Sequence, residues 1–132
     1  MCSSDLFHHR FALSRLKQDN LKLAVCSNSV RQSVELMMRL SNLAPFLDLM
    51  VSNEDVKKAK PDPEMYNFAI DRFGLKPSEV LILEDNEHGI AAARAAGAHV
   101  MVVGTVDDVR YDNIRCAIAA AEQGSNKSSA GL

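Results

Sequence analysis

The stretch LILEDNEHGIAAARAAG, residues 81–97, decides the reading of the fold. It opens on three consecutive aliphatic residues, Leu81, Ile82 and Leu83, the end of a strand expected over Val80 to Leu83. An unbroken apolar run suits a strand covered on both faces, whereas a half-exposed strand would alternate. Glu84, Asp85 and Asn86 close the run. An alanine-rich helix from His88 to Ala96 follows, and Gly97 stops it. The unit is therefore a buried strand, an acidic turn and a helix. In an open parallel sheet, ligands bind outside the carboxyl ends of the strands, where these carboxylates stand.

The same alternation continues on both sides. Downstream, His99 to Val103 reads as a strand and Tyr111 to Glu122 as a helix, with Val106 to Arg110 leading into it. The remainder, Gly124 to Leu132, is rich in glycine and serine and is expected to be a flexible tail. Upstream, Pro63 to Phe73 reads as a helix, with Pro63 in its first turn, Glu64 complementing its dipole and Gly74 ending it. Leu47 to Val51 and Leu21 to Cys26 read as strands, and Val30 to Leu40 between them as a helix. Ser27 or Ser29 is placed to cap that helix. Phe7 to Asp19 reads as an amphipathic helix broken at Asp19-Asn20. Strands alternating with helices of this length indicate an α/β fold with a parallel sheet.

Composition narrows the function. The chain has 132 residues, 47% hydrophobic and 24% charged, which is ordinary for one globular domain or part of one. Fifteen basic against seventeen acidic side chains leave a net charge of -2, and aromatics are 5% with no tryptophan. That balance gives no general attraction to nucleic acid and no base-stacking platform. No apolar run approaches the roughly 20 residues of a membrane-spanning helix, and no signal peptide is visible. Cys2, Cys26 and Cys116 form no CxxC pair or zinc spacing, so a cytoplasmic chain with reduced thiols is expected. His8 and His9 are adjacent and would face different sides of a helix, as a solvated pair does.

Three segments, VCSNS (25–29), KKAKPDPE (57–64) and LILEDNEHGIAAARAAG (81–97), occur in this order. Together they resemble the haloacid dehalogenase-like (HAD) hydrolase superfamily, in the branch of phosphoglycolate phosphatase and β-phosphoglucomutase. The resemblance spans roughly residues 10 to 109. It implies a Rossmann-like parallel sheet flanked by helices, and a Mg2+-dependent phosphatase or phosphomutase acting on a small phosphorylated metabolite. By the resemblance Ser27 is the hydroxyl that hydrogen-bonds the phosphoryl group, and Asn28 beside it belongs to the same phosphate clamp. Lys60 is the ammonium that neutralises phosphate and nucleophile together, and Lys57 and Lys58 are solvated. Glu84 and Asp85 hold the metal, Asp85 directly and Glu84 directly or through water. Oxygen-only ligation of this kind suits Mg2+. Each residue also has a plainer use: Ser27 as a helix cap, Lys60 as a solvated cation, the acidic pair as a helix-capping turn. Asn86 stands where many relatives carry serine, and Gly89 is expected to allow close helix–sheet packing.

Part of the family pattern is missing. Its first motif, DxDx[TV], supplies the aspartate that forms an aspartyl-phosphate and a second aspartate that acts as general acid and base. No Asp-x-Asp occurs in the 132 residues; Asp5 follows no strand, and Asp107-Asp108 follow the last one. Of the family's inserted cap domain, only a returning helix over residues 7–20 is expected. The first six residues, MCSSDL, read like the translation of a sequencing-adapter end from a GTG start. The expected organisation is thus an adapter-derived start at 1–6, a cap remnant at 7–20, an incomplete core at 21–123 and a tail at 124–132. Such a sheet would lack its central strand beside Leu21–Cys26, inviting self-association through the bare edge. The alternatives are a non-catalytic phosphate- or partner-binding module, and one half of a split enzyme. A receiver-like signalling domain is excluded by the order of Ser, Lys and then Glu-Asp.

Overall fold

A computed structural model describes the backbone over residues 3–104 and 108–131, and side chains over 9–104 and 108–122. Asp107 lies outside the described residues, as do the first two residues of the MCSSDL segment. Among the described residues there are five helices, α1 (Ser3–Gln18), α2 (Arg31–Leu40), α3 (Glu64–Phe73), α4 (Glu87–Ala95) and α5 (Tyr111–Gly131), and four strands, β1 (Ala24–Cys26), β2 (Leu49–Val51), β3 (Leu81–Glu84) and β4 (His99–Val102). The order is the expected α/β alternation; β1, β2 and β4 are one to three residues shorter than expected, and β3 is shifted by one residue, from Val80–Leu83 to Leu81–Glu84.

The strands do not form one sheet. Among the described residues β1 pairs only with β2, and β3 only with β4, both in parallel, with Val25 opposite Met50 and Ile82 opposite Val100. The carbonyls of Val80 and Glu84 accept from His99 and Val103, so by the alternation of a parallel ladder Leu81 and Leu83 turn their peptide groups away from β4. On β1, Leu23 and Ser27 bond toward β2, so Ala24 and Cys26 turn theirs the other way. Between these bare edges lies a cavity of about 860 Å3. Leu81, Leu83, Ala24 and Cys26 line its sides, Leu13 and Ile114 lie on one face, and Tyr66 and Ile70 lie on the other. The cavity forms a slot between the two bare edges.

Helices close both faces. Ala12, Leu16 and Ile114 join α1 to α5 over Leu81, Leu83 and Met101. On the opposite face Tyr66 and Ile70 of α3 pack with Ala92 and Ala93 of α4 against Ile82. Met65, fully buried, and Ala69 pack against Val51. Small residues on α4 let it approach the sheet closely. A Cβ at Gly89 would overlap the Glu84 carboxylate, so the expected close packing there is literal.

Several expected ends shift. α1 begins at Ser3, inside the segment read as adapter-derived, and Asn20 with φ 65° ends it as expected. Gly74 at φ 67° closes α3. Neither Ser27 nor Ser29 caps α2, whose cap position is Val30 with no side-chain bond. Its first amide, that of Arg31, donates to Glu54 instead, at 2.7 Å. α5 continues to Gly131, through the segment expected to be a tail. The alanine-rich run over residues 117–121 propagates the helix, no proline interrupts it, and Gly124 and the serines cost at most about 1 kcal/mol each in a helix.

Candidate functional site

The three motif segments meet at the carboxyl ends of β1 and β3, at one end of the slot. Lys60 joins them. Its ammonium donates to the Cys26 carbonyl at the end of β1 (2.9 Å) and to Glu84 Oε1 at the end of β3 (2.6 Å). It also stands 4.9 Å from the centre of the Tyr66 ring. With its side chain 10% exposed, Lys60 is not the solvated cation of the plainer reading. The Lys60–Pro61 peptide is cis. Lys57 and Lys58 are exposed, as expected, though their amides donate to Glu64.

Asn28 has a structural task. Its Oδ1 accepts from the Lys60 amide at 3.1 Å, and its Nδ2 reaches the Lys60 carbonyl at 3.5 Å. The side-chain amide thereby clamps the lysine loop to the turn after β1. Its expected role as a direct phosphate ligand competes with this clamp. Ser27 is partly buried, and its Oγ accepts the Ser29 amide at 3.2 Å. That bond closes a tight turn and leaves the hydroxyl hydrogen for an acceptor at the mouth of the site.

The adjacent carboxylates part company. Glu84, 8% exposed, turns inward, and its Oε1 takes both Lys60 and the hydroxyl of Tyr66. Asp85 turns outward and is exposed, touched by Asn86 Nδ2 at 3.3 Å. Asn86 is the cap of α4, its Oδ1 accepting from Gly89 at 2.8 Å. The acidic pair thus serves two environments. Glu84 is committed to an ion pair, which leaves Asp85 as the carboxylate open to a cation. Among the described residues no three His, Cys, Asp or Glu side chains are grouped to hold a metal. Asp85 fits Mg2+ as one ligand, because that ion keeps several waters and takes one or two carboxylates. Glu84 Oε1 is already taken by Lys60 and Tyr66.

Burial shapes the remaining groups. Partial burial pushes the Cys26 thiol up to about 12; nearby Lys60 pulls it down and Glu84 adds to the rise. Burial, and then the hydrogen bond to Glu84, hold the Tyr66 phenol protonated well above its ordinary range. The sequence reading missed Tyr66. Its signal was a polar-tipped residue on the apolar stripe of α3, with Ala69, Ile70 and Phe73. It also missed Ser52, a buried hydroxyl that forms a capping box with Asp55 after β2, legible in the pattern Ser52-x-x-Asp55.

Comparison with known proteins agrees with this geometry. Residues 6–103 match the family model of haloacid dehalogenase-like hydrolases. A phosphorylated carbohydrates phosphatase of Thermotoga maritima is 37% identical over 89 residues, 67% of this chain and 41% of its own length. The pyrophosphatase PpaX of Bacillus velezensis is 35% identical over 85 residues, 64% of this chain and 39% of its own. In structure, a predicted phosphoglycolate phosphatase of Haemophilus somnus superimposes with a TM-score of 0.68 at 26% identity, covering 71% of this chain and 42% of that one. The chain spans about 40% of the length of the curated relatives it matches. With strand-end motifs in order and a matching family model over most of its length, the chain belongs to the haloacid dehalogenase-like hydrolases, in the phosphoglycolate phosphatase and β-phosphoglucomutase branch.

Proposed function

We propose that this chain is the C-terminal part of the core of a Mg2+-dependent phosphatase that acts on a small phosphorylated metabolite through an aspartyl-phosphate. Alone it is inactive, because no Asp-x-Asp lies in its 132 residues. The observation that carries the reading is the Lys60 bridge between the ends of β1 and β3, at the mouth of the open slot. A strand entering that slot would end beside Lys60, where a carboxylate nucleophile is needed. The relatives that share these segments include a phosphatase of phosphorylated carbohydrates, which supports a phosphorylated metabolite as substrate.

The residues divide the work. Ser27 donates its hydroxyl hydrogen to a phosphoryl oxygen. Lys60 supplies a preorganised positive charge where phosphate and nucleophile meet, in a setting where fixed charges act strongly. Asp85 would hold Mg2+, which would supply positive charge against the phosphate. Asn28 fixes the lysine loop, and Glu84 fixes the lysine. The bare edges of β1 and β3 also favour a second reading, a split enzyme whose strand arrives on another polypeptide by strand addition. The same edges make self-association expected for the chain alone.

The test is to supply a first-motif strand and cap ahead of residue 7 and follow hydrolysis of p-nitrophenyl phosphate. Activity that requires Mg2+ is expected. Asp85→Asn in that protein should lower it about 100-fold or more, the loss that follows removal of one charge-stabilising group. Activity that is indifferent to Mg2+, or retained in Asp85→Asn, would overturn the assignment.

A further inference from the structure

We propose that Tyr66 is a positioning residue that keeps Glu84 turned inward on Lys60 and so aims one ammonium hydrogen of Lys60 at the mouth of the site. Tyr66 lies on α3, 6% exposed, within the cluster formed with Ile70, Ile82 and Ala92. Its hydroxyl donates to Glu84 Oε1, the same oxygen that accepts from Lys60. Its ring face lies 4.9 Å from the ammonium, a cation–π distance. One side chain therefore touches both members of the ion pair.

The geometry explains how the neighbouring carboxylates are kept apart. Lys60 has three donors, and the Cys26 carbonyl and Glu84 Oε1 take two, leaving one. On the other side, the Glu84 carboxylate lies against Gly89, where a Cβ would collide with it. The carboxylate is held by its donors and by that backbone. Without the Tyr66 hydroxyl, Oε1 loses one of its two donors. The outward rotamer, toward solvent beside Asp85, then becomes competitive, and Lys60 loses its partner. The proposal rests on the phosphate-clamp reading only for what the remaining hydrogen binds.

Tyr66→Phe removes the hydroxyl and keeps the ring. The readout is acetylation of the full chain with an amine-reactive ester, quantified by mass spectrometry with Lys57 and Lys58 as internal controls. In the unaltered chain, Lys60 should react far more slowly than those two exposed lysines. Tyr66→Phe should raise the Lys60 rate about threefold to tenfold, the range that the net worth of one hydrogen bond corresponds to. Lys57 and Lys58 should not change. A second readout is spectroscopic. The chain has two tyrosines and no tryptophan, so Tyr111→Phe leaves Tyr66 as the emitter. Its fluorescence should be quenched by the carboxylate acceptor and should recover about threefold or more in Glu84→Gln, as the charged acceptor gives way to a weaker neutral one. A protected Lys60 that Tyr66→Phe leaves unchanged, or an emission indifferent to Glu84→Gln, overturns the role of Tyr66 alone. A Lys60 as reactive as Lys57 in the unaltered chain overturns both this role and the assembled site of the proposed function.

Discussion

Replacing Lys60 by Met tests the pair at the centre of the site. The ammonium and the Glu84 carboxylate are 2.6 Å apart, with side chains 10% and 8% exposed. At an effective dielectric constant of about 20, their gross attraction is about 6 kcal/mol. Desolvation of both ions offsets much of that, so the pair's net worth is far smaller. Breaking it from one side is a different matter, because the other charge stays buried without compensation. Such losses run at about 3–5 kcal/mol. Tyr66 still donates to Glu84, and methionine fills most of the lysine's volume, so the lower end, about 3 kcal/mol, is expected for Lys60→Met. Urea unfolding at neutral pH would measure it. Lys60→Met/Glu84→Gln, which removes the stranded charge, should regain more than half of the loss. The reasoning is refuted if Lys60→Met stays within about 0.5 kcal/mol of the parent, the range of an unremarkable surface change. It is equally refuted if the double-mutant cycle gives a coupling below about 0.5 kcal/mol, the scatter between independent sites.

Other outcomes follow from the same geometry. Gly89→Ala places a methyl where the Glu84 carboxylate lies, and should cost about 1–3 kcal/mol in urea unfolding, as overpacking does. A neutral result would show that the acidic turn has room to move. With its thiol pushed up to about 12, Cys26 should resist iodoacetamide at pH 8 while exposed Cys116 reacts, as read by peptide mass spectrometry. The raised value also sets a pH dependence. The folded state favours the neutral thiol, so this contribution to stability is complete below the ordinary thiol range near 9 and is lost as pH rises toward about 12. In Cys26→Ser, the decline of stability over that alkaline window should be shallower than in the parent.

Much of this was legible because single residues carried it. Leu81 to Leu83, unbroken by polar residues, could only be a strand buried on both faces, and the structure covers it with α1 and α5 on one side and α3 and α4 on the other. Lys60 stood out among three lysines only through its place in the match to the family pattern, Lys60-Pro61-Asp62-Pro63, and it is the one drawn into the site. Orientation was harder to read. Nothing in the adjacency of Glu84 and Asp85 says that one turns in and the other out. Strand alternation and the partners Lys60 and Tyr66 decide that, and they lie 24 and 18 residues away from Glu84 in the chain. Asn28 read as a ligand because its position after β1 is visible, whereas the Lys60 backbone it clamps is distant in sequence. The capping serines misled for a related reason. Arg31, at the start of α2, draws its acceptor from Glu54 across the fold, and no local signal announces it. α5 outran its expected end because helix propagation from an alanine-rich run overrides weak breakers such as Gly124.

The sheet is open between β1 and β3, and the site sits at one end of the slot between them. Amide hydrogen exchange on the dilute chain, resolved by residue, reads out that opening. An open slot predicts that Val25 and Ile82, whose amides face β2 and β4, are protected. It predicts that Ala24, Leu81 and Leu83, whose amides face the slot, exchange much faster. Equal protection of both sets in the monomer would contradict it, because the slot would then be closed by pairing that this structure does not contain.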